Sequence, residues 1–325
     1  MDKIFLYKDT IEWIPFDRLS DIKEIGKGGF GSIYRATCSD GIRKIEKIKI
    51  DDKHKSNNDN YIYKRSREPN RIVALKTLSS SKRNQNFLDI LREYANDGNI
   101  HKFLRSNFNQ LTWKFMLEQL KNISFELFRI HNANYIHSDL HSGNILHNKG
   151  TSYISDLGLS KKVEENSSKD VIFGIMPYIA PEVLSGKQQF TQKADIYGFG
   201  VIMAEITTGQ KPFDGYKFDI DLAIKICNGL RPNFASGTPN CYVELASLCM
   251  NSDPQERPDA WDINCEINNW IEKLTSDDEN EIKNQFSNAG IIINTLPIVP
   301  QIHSDHMYTS KMIDTQKILN AIKGN

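Results

Sequence analysis

The chain has 325 residues, room for about two domains of ~150 residues, and it carries 41 Lys+Arg against 41 Asp+Glu, so its formal charge is zero. That balance argues against a globally basic nucleic-acid binder and against an acidic tail protein; 39% hydrophobic and 25% charged residues suit an ordinary globular protein. No run approaches ~18 apolar residues, the start Met1-Asp2-Lys3-Ile4-Phe5 lacks the pattern of a signal peptide, and five scattered cysteines without a Cys-x-x-Cys pair point to reduced thiols in the cytoplasm, with the nucleus as the alternative.

Residues 20–36 read as strand, glycine turn and strand around Gly26-Lys27-Gly28-Gly29-Phe30-Gly31. The stretch 41–71 holds ten Lys/Arg against five Asp/Glu, a net of +5, and reads as a solvated basic insertion rather than a nucleic-acid patch. Ile72-Val73-Ala74-Leu75-Lys76 makes a short buried strand ending on a lysine. From 111 the apolar spacing turns helical, with Thr112 as N-cap and Phe115, Met116, Leu120, Ile123, Leu127 and Ile130 on one face, up to His131-Asn132-Ala133-Asn134. Short strands are expected near 145–147 and 152–154, and 192–208 is apolar nearly all round, as a core helix should be. Trp113, Trp261 and Trp270 read as core anchors, and 276–325 reads as a largely disordered tail with a helix at 311–323 as an option.

The glycine cluster alone is a weak signal. A dinucleotide loop should open a helix, yet Ser32-Ile33-Tyr34-Arg35 continues as a strand. A glycine hairpin between strands instead lets backbone N–H groups lie over phosphates, and Lys76 supplies a positive charge for them. His137-Ser138-Asp139-Leu140-His141-Ser142-Gly143-Asn144 is the strongest local signal: a loop carboxylate five residues before an asparagine offers a base and an amide oxygen. Asp156-Leu157-Gly158 follows twelve residues past Asn144, then Ala180-Pro181-Glu182, Asp195 and Arg257.

The order of these five motifs in one chain carries the argument. Over roughly residues 13–274 the sequence resembles the eukaryotic protein kinase family, and it looks most like the tyrosine-kinase-like group of Ser/Thr kinases. The resemblance implies an α+β, bilobal fold: a small β-rich N-lobe (about 13–92), a hinge (about 93–97) and a larger mainly helical C-lobe (about 98–274), with ATP and Mg²⁺ in the cleft. It implies Asp139 as catalytic base, assisted by Lys76 and Asn144, with Asn144 and Asp156 holding magnesium. ATP would meet Gly26, Lys27, Gly28, Gly29, Phe30 and Gly31, with Ile33, Ala74 and Leu146 sandwiching adenine, Lys76 and Asp156 at the phosphates, and Glu93 and Ala95 in the hinge. Asp195 would bond the catalytic-loop backbone, and Glu182 and Arg257 would form a buried, structural ion pair. The reaction implied is transfer of the γ-phosphoryl group of ATP to protein Ser/Thr hydroxyls, with no nucleic-acid partner.

The sequence also departs from the pattern. Only 16 residues separate Lys76 from Glu93, whereas the family's αC helix, its fourth and fifth strands and their connections need roughly 34. In one reading Phe87-Leu88-Asp89-Ile90 begins a truncated αC; in the favoured one Leu91-Arg92-Glu93-Tyr94-Ala95 is hinge, and αC, the fourth strand and most of the fifth are missing. The alternatives to an active enzyme are a catalytically impaired pseudokinase or scaffold, and a sequence that lost an internal segment at a mis-assigned exon boundary. Ser138 replaces the arginine of His-Arg-Asp, Leu157 the usual phenylalanine, His141 a lysine near the transferred phosphate, and Ile175 a threonine. A Rossmann oxidoreductase is the remaining alternative from the glycine motif, and the strand after Gly31 argues against it. Tyr308-Thr309-Ser310-Lys311 reads as disordered, with a phosphosite or docking motif as the alternative.

Overall fold

A computed structural model describes residues 16–28, 31–49, 61–77, 88–93, 97–165, 171–293 and 300–324. The chain divides into two units, Met1–Tyr94 and Ala95–Asn325.

The N-terminal unit is built from β1 (Leu19–Gly28), β2 (Gly31–Cys38), β3 (Ile42–Lys49), β4 (Tyr61–Glu68), β5 (Arg71–Thr77) and β6 (Leu88–Glu93). Four of them form an antiparallel sheet in the order β1-β2-β5-β6, while β3 and β4 pair as a separate ribbon. The β-branched and apolar run at Ile72–Leu75 suits a sheet interior, and Ala36, Cys38, Val73 and Leu75 are buried there against Leu19 and Tyr34.

The basic stretch 41–71, read as an insertion, contains the β3–β4 ribbon outside the four-stranded sheet, its arms paired from Ile42 opposite Glu68 to Lys49 opposite Tyr61. Two expectations about the segment before the second unit are corrected. Residues 88–93 begin no truncated helix, nor is the last N-lobe strand mostly absent; Leu88, Asp89, Ile90 and Leu91 pair with Thr77, Lys76, Leu75 and Ala74. The open edge of β5 gives this segment hydrogen-bond partners, whereas a two-turn helix standing alone is too short to be stable.

The C-terminal unit contains α1 (Ile100–Asn107), α2 (Trp113–Asn132), β7 (Tyr135–Ile136), β8 (Ile145–Asn148), β9 (Thr151–Ile154), β10 (Lys161–Lys162) and β11 (Ile172–Gly174). Then follow α3 (Pro181–Leu184), α4 (Gln192–Thr208), α5 (Ile220–Cys227), α6 (Asn240–Cys249), α7 (Ala260–Thr275), α8 (Glu281–Ile293), β12 (Lys311–Ile313) and α9 (Thr315–Gly324). Side-chain oxygens begin the helices: Asn99 accepts from the Lys102 N–H at 2.9 Å, and Thr112 from that of Phe115 at 3.2 Å. Helix α4 is buried from Ala194 to Thr207, so it is the spine on which the other elements pack. Trp113 and Trp270 are core anchors, but Trp261 is 48% exposed and leans on Phe128. Among the described residues no helix is long and apolar enough to cross a membrane.

The tail is the largest correction. Residues 276–325 were expected to be largely disordered, yet α8, β12 and α9 occupy most of the described part. Phe286, Ala289, Tyr308 and Ile318 enter the C-terminal core. These anchors are isolated in a polar sequence and become interior only because other elements supply the surface that covers them.

Candidate active site

The loop between β7 and β8 carries Asp139. It is fixed from below by Asp195 at the start of α4, whose Oδ2 accepts the His137 N–H at 2.8 Å and whose Oδ1 accepts the Ser138 N–H at 3.0 Å. Asp195 Oδ2 also meets His131 Nε2 at 3.0 Å. These contacts hold Ser138 at a φ of 68°, a left-handed conformation that a non-glycine residue adopts only when its surroundings impose it. One turn along α4, Gly198 lets the loop lie on the helix: a Cβ there would stand 2.8 Å from the Leu140 carbonyl oxygen. His137 is buried, its Nε2 3.0 Å from the Ser155 carbonyl and its Nδ1 accepting the Asp139 N–H at 3.3 Å. Its place is that of a packed loop histidine.

Asp139 is itself buried. Burial pushes its carboxyl upward, but His141, the Ser310 hydroxyl and His137 outweigh it and hold the group below the ordinary aspartate value. His141 Nδ1 accepts the Gly143 N–H at 3.1 Å, which turns Nε2 toward Asp139 Oδ2 at 3.6 Å. Asn144 spends its amide hydrogens on Asp139, reaching the carbonyl oxygen at 2.9 Å and Oδ2 at 3.3 Å. What Asn144 can offer a cation is therefore its side-chain oxygen. Asp156 lies at a φ of 58°, its Oδ1 accepting the Gly158 N–H at 3.3 Å. Carboxylate and amide oxygens are the donor type that a hard divalent cation prefers. Leu146, half-buried on β8, bridges to Asn99, and the His147 N–H donates to the Gly98 carbonyl at 2.8 Å.

In the N-terminal unit, β2 and β5 place Ile33 directly opposite Lys76, and Ala74 opposite Arg35. Gly26 and Lys27 face Ile33 and Ser32 across the β1–β2 turn, and Gly28 faces Gly31. Glu93 ends β6 opposite Val73. Gly29, Phe30 and Ala95 lie outside the described residues.

Two further features escaped the sequence reading. Glu205, near the end of α4, sits in a buried polar cluster: Oε1 meets His101 Nδ1 at 2.7 Å and the Ser142 hydroxyl at 2.8 Å, and Oε2 accepts from the Tyr178 hydroxyl at 2.6 Å. Lys211 Nζ stands 3.8 Å from Oε1 and donates to Ser142 Oγ at 3.1 Å. Burial would raise the Glu205 carboxyl, but Lys211 and His101 bring it down to about 2. This cluster ties the loop that carries Asp139 (Ser142) to the segment before α3 (Tyr178). The buried pair expected between Glu182 and Arg257 is present, two-pronged, with both contacts 2.7 Å.

The second feature is the tail. Ser310 Oγ lies 2.9 and 2.7 Å from the two Asp139 carboxylate oxygens, and its hydroxyl donates to them. The following strand β12 pairs antiparallel with β11. The alternative reading of Tyr308–Lys311 as a phosphosite or docking motif singled out this segment but not its partner, since residues 139 and 310 are joined only by the folded chain.

Comparison with known proteins agrees with the motif order. The model of the protein kinase domain matches residues 19–267. The probable serine/threonine-protein kinase roco5 of Dictyostelium discoideum is 30% identical over 275 residues, 78% of this chain and 10% of that protein. The putative serine/threonine-protein kinase/receptor R818 of Acanthamoeba polyphaga mimivirus is 26% identical over 266 residues, 79% of this chain and 16% of that protein. The serine/threonine-protein kinase STY17 of Arabidopsis thaliana is 25% identical over 282 residues, 84% of this chain and 48% of that protein. The chain thus spans from a tenth to about half of the length of these relatives. On the family match over most of its length, and on the motif set carried by the loop at Asp139, this chain belongs to the protein kinase family.

Proposed function

We propose that the chain transfers the γ-phosphoryl group of ATP to Ser/Thr hydroxyls of proteins. The observation that carries this reading is the setting of Asp139: a buried carboxylate on a loop whose backbone N–H groups are held by Asp195, with the Asn144 amide at 3.3 Å and His141 Nε2 at 3.6 Å from its Oδ2. A base whose direction is fixed in advance orients the acceptor hydroxyl and takes its proton as the bond to phosphorus forms. Asn144 and Asp156 would hold a divalent cation, magnesium in this reading, which when bound neutralises phosphate charge. Lys76 and the backbone amides of residues 26–31 would position the nucleotide. The names of the relatives favour serine/threonine acceptors.

The test is transfer from ATP to dephosphorylated casein. Asp139→Asn should lower the rate by about 10²–10⁴-fold, the range for loss of a positioned base. Transfer that survives the substitution would refute the assignment.

A binding-only reading has one observation in its favour. Strand β6 takes up residues 88–93, so ten residues, 78–87, join it to β5, fewer than one average helix of ~11–12 residues. Ten residues are short for the family's αC helix together with its two connections, and that helix carries the glutamate that orients the lysine. If the wild-type chain binds Mg-ATP and turns over no faster than Asp139→Asn, this reading replaces the first.

A further inference from the structure

We propose that Ser310 is a phosphorylation site of the chain itself, modified in cis by Asp139 of the same molecule, with residues 307–313 seated as an intramolecular substrate. The inference rests on the kinase reading above.

Three neighbouring residues carry hydroxyls, and their surroundings separate them. The Tyr308 hydroxyl is buried and donates to the Pro212 carbonyl at 3.1 Å, with its ring edge-on to Phe218 at 5.1 Å and under the Lys211 ammonium at 5.3 Å. Thr309 is exposed and turns back to the His306 carbonyl at 2.9 Å. Ser310 alone of the three reaches the base, at 2.9 and 2.7 Å. Its proton is already shared with the carboxylate that would remove it.

The backbone on both sides holds Ser310 there. On the N-terminal side the amides of Ile302 and His303 donate to the Asp214 carboxylate at 2.7 and 2.8 Å, and Tyr308 fills the core position just described. On the C-terminal side Lys311, Met312 and Ile313 pair with Gly174, Phe173 and Ile172, so β12 adds a strand to the segment that precedes Ile175. Beyond it α9 packs on α5 and α3 and buries Ile318. An acceptor fixed at two ends and aimed at a base is what transfer by proximity requires.

The step balances without an added co-reactant other than ATP. The Ser310 Oγ–H bond breaks and its proton passes to Asp139. Oγ bonds to the γ-phosphorus, the bond from that phosphorus to the bridging oxygen breaks, and ADP leaves with the electron pair. The product carries about −1.5 to −2 of charge against the Asp139 carboxylate, so the modified segment is repelled from the site it occupied.

The experiment uses the full chain with radiolabelled ATP and magnesium, site mapping by mass spectrometry, and casein as a separate acceptor. We expect label on Ser310, with a rate constant unchanged over a hundredfold range of protein concentration. Ser310→Ala should reduce total incorporation at least tenfold, and Ser310→Asp should raise casein transfer several-fold by placing like charge beside Asp139. A Ser310 rate constant that rises in proportion to protein concentration overturns the cis assignment. If casein is labelled by wild type or by Ser310→Asp while Ser310 of the wild type stays unmodified, the segment is not a substrate, and the kinase reading stands. If neither casein nor Ser310 is labelled in any variant, both readings fall.

Discussion

The two units of this chain hold their backbones by different means. In the N-terminal unit the described core is four residues, Ala36, Cys38, Val73 and Leu75, and order comes mainly from main-chain pairing along β1, β2, β5 and β6. In the C-terminal unit a continuous apolar interior surrounds α4, and charged side chains buried within it reach across elements. Pairing fixes register but leaves strands free to shift as a sheet. A carboxylate buried at two hydrogen-bond distances does not allow its partners to shift, because each unmet donor or acceptor is expensive in a low-dielectric interior. The unit with the buried charged contacts is the one that carries Asp139.

The contrast can be broken most severely at Arg257. Replacing it with alanine leaves Glu182 buried without its partner, so Arg257→Ala should cost about 3–5 kcal/mol, read as a lower urea midpoint for the C-terminal unit. A change below about 1 kcal/mol would show that this pair is not a clamp. Glu205 sharpens the same point through pH. Its carboxyl lies at about 2 in the folded protein against an ordinary 4.5, so its contribution is complete above pH 4.5 and is lost as pH falls toward 2. That amounts to roughly 3 kcal/mol for a fully buried group. In Glu205→Gln the loss of stability over this window should be smaller by that amount, and an unchanged acid limb would contradict the assignment. The smallest effect is expected in the sheet. Leu75 is fully buried in a sheet with a described core of four residues, so Leu75→Ala should lie near the lower end of the range, about 2 kcal/mol. Hydrogen exchange should then quicken in β2 and β5 and stay unchanged in α4.

How much was legible in the sequence follows the same division. The catalytic-loop string, the Thr112 cap and the apolar run after Asp195 are local signals, and local signals survive reading along the chain. Glu205 had a signal that was passed over: between Asp195 and Thr208 it is the one charged residue in an apolar helix, and a lone charge there needs a buried partner. Trp261 was misplaced because its size outweighed its register. The buried positions of α7 are Ala260, Ile263, Asn264, Ile267 and Trp270, and Trp261 falls off that stripe. The count of residues before Glu93 says nothing of whether 88–93 is helix or strand; the edge of β5 supplies the pairing that makes it a strand. The tail was illegible for a different reason. Its composition is that of a disordered segment, and its order depends on Asp139, Asp214, Pro212 and β11, none of them near it in sequence.

The seating of β12 beside β11 also sets a competition. A tethered segment presents itself to its site at an effective concentration of about millimolar. A peptide from outside, at micromolar concentration, meets a groove whose own chain outnumbers it by about a thousand to one on that scale. Its apparent affinity is its intrinsic affinity reduced by the fraction of molecules in which residues 307–313 have lifted away. In the proposed reaction, whatever pulls on α9 or alters Ser310 therefore changes the apparent affinity for all outside peptides by one common factor, without altering the residues that would contact them.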